Sequence, residues 1–411
     1  MRMRDWKIFF RRLRRISYKL RFHFYIAVII TCVLLYFVYK WNYICIFIEA
    51  PLQINAVCDL FLKDLAIGSL CIPLCTTKEV KTISCENFLS NKLSVFTIEW
   101  HETKMVFKKI TSNPSSIHWY DNGKLKYPSE KDFLRTIQAI VYNKLNFNIT
   151  IQSANKLSRL KPNYQEMNLG RRQKEIDILW RLLQDNEYLI SSLYIERDVF
   201  PQLIGTCGVY YAVEELDPIL DTSSMWTIKY DKQDWGARLK TALLIIELLD
   251  ELENGFHEHY HLCDIRTEHF GFTKSRTKIK FLDLMSVHPK SIVSGYLQTS
   301  ISSCRDDSDC EYLDCRGRCN LLTKKCTQVT NNNLQIVCEK IFLGWRMSKT
   351  ILVPGLLMVP HTPSELAAIL RQCSNPDMEL GKPRTAASED IKKRLYNTLI
   401  EMEEVVNGEM E

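Results

Sequence analysis

Glycine and proline are scarce, at 14 and 13 of 411 residues, which excludes a collagen-like, low-complexity or wholly disordered chain. A basic surplus is missing from the body of the chain as well. The net charge is +6, but residues 1–40 carry ten Lys/Arg against the single acid Asp5 and contribute +9, leaving −3 for the rest. A mildly acidic body offers no positive face to a phosphate backbone, so nucleic acid is excluded as a partner. No internal repeat divides the chain. With 46% hydrophobic residues, residues 45–411 can build roughly two to three domain-sized cores.

Charge is also absent from Phe24 to Tyr39, FYIAVIITCVLLYFVY. With Phe22 before it and the aromatic collar Trp41 and Tyr43 after it, the run reaches about 20 residues, enough for one transmembrane helix over 23–44. The basic tail 1–22 precedes it, and no Lys or Arg falls between Lys40 and Lys63. That asymmetry predicts a cytosolic N-terminus and a lumenal body. No small-x-small site follows the run, so the expectation is an uncleaved signal anchor, single-pass type II, rather than a cleaved signal peptide.

Thirteen cysteines lie between Cys58 and Cys373, a density that points to an oxidising compartment and disulfides. Their odd number leaves at least one free or paired with another chain. Asn148-Ile149-Thr150 is a usable glycosylation sequon, in keeping with a lumenal body and a glycoprotein.

Local patterns order the body. SVFTIE (94–99) and KMVFKKI (104–110) read as strands, and Ser129 as the cap of a helix through Asn146. Ile176, Leu179, Trp180 and Leu183 define a helix over 171–184. A strand pair, 201–206 and 209–216, turns at Cys207-Gly208. A long helix covers 235–252, and a polar loop, His257–His269, leads to a short strand at 278–283. Strands first and helices afterwards suggest an α+β body with two lobes.

This order of elements is how a protein kinase arranges its phosphoryl-transfer groups. Alternation in KMVFKKI puts Val106 and Lys108 on one face, as in the kinase strand whose Lys holds the α- and β-phosphates. Glu175 precedes the apolar stripe of its helix and is placed to pair with Lys108. The run LIGTCGVYYAVEEL ends in Glu214-Glu215-Leu216, like the hinge that holds an adenine ring, and makes Glu215 a nucleotide-binding candidate. In the catalytic-loop pattern H-R-D-L-x-x-x-N, Asp264 and Ile265 are kept, while Leu262 and Cys263 replace His and Arg. Arg266 stands where many kinases place a Lys near the γ-phosphate, and His269 where Asn holds a metal. Phe281-Leu282-Asp283-Leu284-Met285 lies at the D-F-G position with Met for Gly. Asp264 is then the base for an acceptor hydroxyl, and Asp283 with His269 the metal ligands. Two parts are missing: Cys85–Trp100 holds no glycine to form a phosphate-covering loop, and there is no A-P-E tripeptide.

The cysteine-rich run CRDDSDCEYLDCRGRCNLLTKKC, together with LLQDNEYLISSLY, LIGTCG and the basic head before an apolar run, closely resembles the divergent protein kinase domain 1 family. Its members are cysteine-rich, single-pass proteins of the endoplasmic reticulum, and the resemblance covers nearly the whole chain. It implies a kinase-like lumenal domain, a disulfide-rich insert after the D-F-G position and a calcium-binding-like insertion in the N-lobe near 112–148. The six insert cysteines, Cys304, Cys310, Cys315, Cys319, Cys326 and Cys338, allow fifteen pairings, none preferred by the sequence.

The calcium reading is incomplete. With Gly123 as the loop glycine, Asn122 and Leu125 fit, but His118 and Tyr120 fall at the first and third ligand positions. Ser129 falls at the twelfth, with Glu130 one residue late, so a turn before a helix competes with calcium. The alternating His257, His259 and His261 near Cys263 invite zinc, though their spacing is unlike that of structural zinc sites.

The expected architecture is therefore a two-lobed, protein-kinase-like α+β lumenal domain with a disulfide-rich insert, preceded by one transmembrane helix. Its parts are a cysteine-containing juxtamembrane segment over 45–100, an N-lobe over 101–218 and a C-lobe over 219–411 carrying the insert 304–338. ATP with Mg²⁺ or Mn²⁺ is the expected cofactor, and a hydroxyl of a lumenal protein or glycan the acceptor. The missing glycines and His269 favour a pseudokinase scaffold as the alternative. A disulfide-rich interaction module built on the insert is a third reading.

Overall fold

The computed structural model describes residues 24–37, 43, 45–85, 95–110, 114–160, 169–219, 232–299, 302–347, 350–359 and 362–408. Two compact units share the chain, one within Met1–Lys109 and Gly205–Ala212, the other within Ile110–Ile204 and Val213–Glu411.

The expectation of a transmembrane helix over 23–44 is corrected. Among the described residues no helix is long and apolar enough to cross a membrane. Residues 24–37 are helical, but at about 1.5 Å per residue they reach only about 21 Å, against about 30 Å of hydrocarbon. Residues 38–42 and the basic tail 1–22 lie outside the described residues.

In the first unit, α1 (Ala50–Leu62) precedes the strands β1 (Lys81–Cys85), β2 (Val95–Trp100) and β3 (Thr103–Lys109). The second unit follows with the hairpin β4 (Trp119–Asp121) and β5 (Lys124–Lys126) and the helices α2 (Glu130–Leu145), α3 (Ile151–Ser158), α4 (Leu169–Leu183) and α5 (Asn186–Leu193). Then come β6 (Leu203–Cys207), β7 (Tyr210–Glu214) and β8 (Asp217–Pro218). β6 and β7 complete a five-stranded sheet in the order β1-β2-β3-β7-β6. The expected helix capped by Ser129 forms as α2: Ser129 Oγ accepts from the Asp132 amide at 3.2 Å, and Asn146 ends it in a left-handed conformation.

The cysteine-containing segment is part of the first unit's core. Val57, Leu70 and Leu74 pack with Phe96, Ile98, Phe107 and Tyr210 in one buried cluster. Each such side chain contributes roughly 1.5–3 kcal/mol when buried. Residues 66–70 lie against the β6–β7 turn: Leu70 donates to the Thr206 carbonyl (3.0 Å) and Gly208 to the Ile67 carbonyl (3.1 Å). Only glycine fits at Gly68, where a Cβ would stand 2.0 Å from the Thr206 oxygen. Cys58–Cys75 and Cys71–Cys207 lock this strap in place.

In the second unit, the long helix α6 (Lys232–Asn254) leads to β9 (Tyr260–Leu262), β10 (Phe270–Phe272), β11 (Ile279–Phe281) and β12 (Val287–Pro289). β9 pairs with β12, and β10 lies between β11 and β8. The sequence reads 257–269 as loop throughout, so β9 is an addition; it is three residues long and shows no alternation. After α7 (Lys290–Thr299) the insert forms two short ribbons, β13 (Glu311–Tyr312) with β14 (Cys315–Arg316), and β15 (Cys319–Asn320) with β16 (Lys325–Cys326). Two further helices, α8 (Ser364–Ser374) and α9 (Glu389–Gly408), follow.

Candidate functional site

The turns that follow β9 and β11 carry Asp264 and Asp283, and the register of the short sheets brings them together. Phe270 pairs with Phe281 across β10 and β11, and the Leu282 amide donates to the His269 carbonyl at 2.8 Å. Asp264, His269 and Asp283 each offer one ligand atom, all within 4.8 Å of one another. Their side chains are 18%, 12% and 13% exposed, so the cluster is reachable from solvent while mostly enclosed.

Histidine is oriented by its neighbours. Its Nδ1 lies 2.8 Å from the Asp264 carbonyl and Nε2 3.5 Å from Asp283 Oδ2. A carbonyl only accepts, so Nδ1 carries the proton and, in the neutral ring, Nε2 keeps its lone pair toward Asp283. The ring meets Phe281 edge-on at 5.8 Å. Asp283 Oδ1 accepts from the Met285 amide at 3.4 Å. Arg266 Nε donates to Asp264 Oδ1 at 3.0 Å, and this bond raises the guanidinium pKa above its ordinary value. A nitrogen with a fixed tautomer beside two carboxylates is a donor set suited to a divalent cation.

The other expected site residues are dispersed between the units. Lys108, half-buried on β3 opposite Val95, belongs to the first unit. Glu175 belongs to the second. There Arg172 Nη1 reaches it at 3.3 Å, while Arg172 Nε donates to Glu130 Oε1 at 2.6 Å. Glu215 is half-buried just after β7. Its neighbour Glu214 has a definite partner, the almost fully buried Lys280, whose Nζ also lies 2.7 Å from Asp198 Oδ1. The sequence reading passed over Lys280; its place on a short apolar strand three residues before Asp283 was the available signal.

Asn122 and Gly123 form the β4–β5 turn with φ of 50° and 74°, as a two-residue hairpin demands. Asn148 is exposed, and Thr150 Oγ1 caps α3 by accepting from the Ser153 amide at 3.1 Å. His257 Nε2 lies 3.0 Å from the Leu145 carbonyl, and Cys263 is bridged to Cys315, so it offers no thiolate to zinc.

The insert cysteines do not pair only among themselves. Cys304–Cys319 and Cys310–Cys326 close within it, whereas Cys315 reaches Cys263 and Cys338 reaches Cys373. Twelve of the thirteen body cysteines are thus in disulfides.

Residues 179–376 match a family model described as the protein-kinase domain of FAM69, and residues 11–160 one described as the N-terminal cysteine-rich region, endoplasmic reticulum, of FAM69. The chain belongs to the FAM69 family. The resemblance to a cysteine-rich, divergent kinase-like family is borne out, and with it the kinase-like domain and the disulfides. The FAM69 kinase match contains Asp264, His269, Asp283 and the whole insert. Lys108 falls within the cysteine-rich match, and Glu175 between the two.

Proposed function

We propose that this FAM69 chain is a divergent phosphotransferase of the endoplasmic-reticulum lumen, moving a phosphoryl group from ATP to a hydroxyl of a protein or glycan. The observation that carries the reading is the convergence of Asp264, His269 and Asp283. His269 Nε2 and Asp283 would hold Mg²⁺ or Mn²⁺, which supplies charge neutralisation for the phosphates. Asp264 accepts the proton of the acceptor hydroxyl. Arg266 is 57% exposed, and a bound phosphate gives it a stronger partner than Asp264, freeing that carboxylate to act as base. Glu215, in the same unit as the cluster, takes the nucleotide in this reading. Six disulfides support the lumenal placement, because such bridges persist in oxidising compartments.

One observation favours a second reading. The Asp264–Arg266 and Glu175–Arg172 bonds occupy two carboxylates that a working kinase keeps for substrate and lysine, as in a pseudokinase that binds nucleotide without turnover. A thermal-shift titration of the full chain with ATP and Mn²⁺, followed by labelled-phosphate transfer, separates the two. Ligand at 100 times its Kd adds about 2.7 kcal/mol. A shift lost in Asp283→Ala, with transfer lost in Asp264→Asn, supports the phosphotransferase. A shift without transfer supports the scaffold, and a flat curve with folded protein sinks both.

A further inference from the structure

The residues on either side of Asp264 are held by the cysteine-rich insert. Cys263, fully buried, is bridged to Cys315. Its carbonyl accepts from the Asp314 amide at 2.7 Å, and its own amide donates to the Ser286 carbonyl at 2.9 Å. On the other side, the buried Ile265 amide donates to Asp314 Oδ2 at 2.8 Å. The same carboxylate oxygen takes Lys340 Nζ at 2.6 Å, and Asn331 Nδ2 donates to the Asp314 carbonyl at 2.8 Å. Asp314 is 9% exposed. One residue of the insert therefore grips the chain immediately before and after Asp264, and the adjoining disulfide fixes the grip covalently.

Two buried amide groups and a buried carboxylate make this a costly arrangement to disturb. A buried donor left unsatisfied costs more than a hydrogen bond normally contributes. The pattern also replaces what the catalytic-loop signature lacks here, since Leu262 and Cys263 stand at its His and Arg positions. Because the Asp264 carbonyl orients His269, any loosening of the 263–265 backbone passes directly to the histidine that faces Asp283.

We propose that Asp314, with the Cys263–Cys315 bridge, positions the Asp264 turn, so that the insert acts as a brace for the cation cluster. The consequence for cation binding rests on the function proposed above; the positioning itself does not. The test uses the full chain from an oxidising host and two readouts. The first is Mn²⁺ affinity, followed by the electron paramagnetic resonance of the free ion. The second is amide hydrogen exchange over 263–269. Asp314→Ala should weaken Mn²⁺ about 10-fold or more, the usual range for groups that orient metal ligands. It should also speed exchange at Ile265 while leaving α6 protected. Asp314→Asn keeps an acceptor oxygen and should recover most of the affinity. Removing Cys263–Cys315 should act like Asp314→Ala, whereas removing Cys310–Cys326, in the same insert, should leave Mn²⁺ affinity unchanged. Unchanged exchange at Ile265 in Asp314→Ala, or equal loss of affinity from both disulfide removals, overturns the proposal. If the wild-type chain binds no Mn²⁺, the cation reading fails alone, and exchange at Ile265 still decides the positioning.

Discussion

In the first unit the Cys71–Cys207 bridge joins a core that is already apolar: of thirteen buried residues clustered around Phe96 and Phe107, two are cysteines. Around the insert the proportions reverse, and five of the eight buried residues in the cluster of Cys263, Val293, Leu297 and Val329 are cysteines. Buried ions do much of the remaining packing there. Arg316 Nη1 reaches Glu339 Oε2 at 2.9 Å and the Pro383 carbonyl at 2.7 Å, and Arg384 Nη1 reaches the Gly317 carbonyl at 2.7 Å. One region is a sheet whose core is stapled; the other is a chain whose staples and ion pairs are the core. A segment too short to bury a hydrophobic interior takes the second route.

The contrast can be broken at its cross-links first. Removing Cys71–Cys207, which spans 136 residues, should lower stability by about 5 kcal/mol on the chain-entropy account, against about 3 kcal/mol for Cys304–Cys319, which spans 15. Denaturant midpoints of the two alanine pairs in oxidising buffer would measure this, and a reversed order would refute the loop-length account.

The cores themselves come next. Phe107 is fully buried and stacked on Tyr210 at 5.2 Å, so Phe107→Ala should cost about 4 kcal/mol through the cavity it leaves. Arg316 is 4% exposed, and Arg316→Ala should cost about 3 kcal/mol by stranding Glu339. Only the second loss should change with salt or pH. Equal salt dependence in both would erase the distinction drawn here.

A further separation comes from pH. Burial pushes His261 down to about 3 and His288 to about 4, from an ordinary 6.5. The unfolded chain takes up protons below about 6.5 while the folded one keeps both rings neutral, so their contribution is intact above that pH and is lost progressively toward 4. Unfolding midpoints measured from pH 7.5 to 4.5 should fall, and His261→Gln should flatten the slope; a midpoint constant over that range would contradict it. The smallest effect is at a helix end: Ser129→Ala should cost about 1 kcal/mol by removing the cap of α2, and thermal melting would resolve it.

Much of the local structure was legible in the residues. Ser129 with Asp132 marked a helix start, the apolar period of Ile176 to Leu183 marked α4, and alternation marked β3. These depend on neighbours within a turn or a pleat, so sequence alone determined them. The order of Asp264, His269 and Asp283 along the chain was legible for the same reason. The apolar run at 24–39 showed hydropathy but not helix length, and the described helix there is too short to span a bilayer. Only the tertiary structure decided that Cys315 leaves the insert for Cys263, that Arg172 takes Glu130, and that Asp314 grips both sides of Asp264. Each of those is a contact between segments far apart in sequence, where side-chain type permits many partners and only the packed fold selects one.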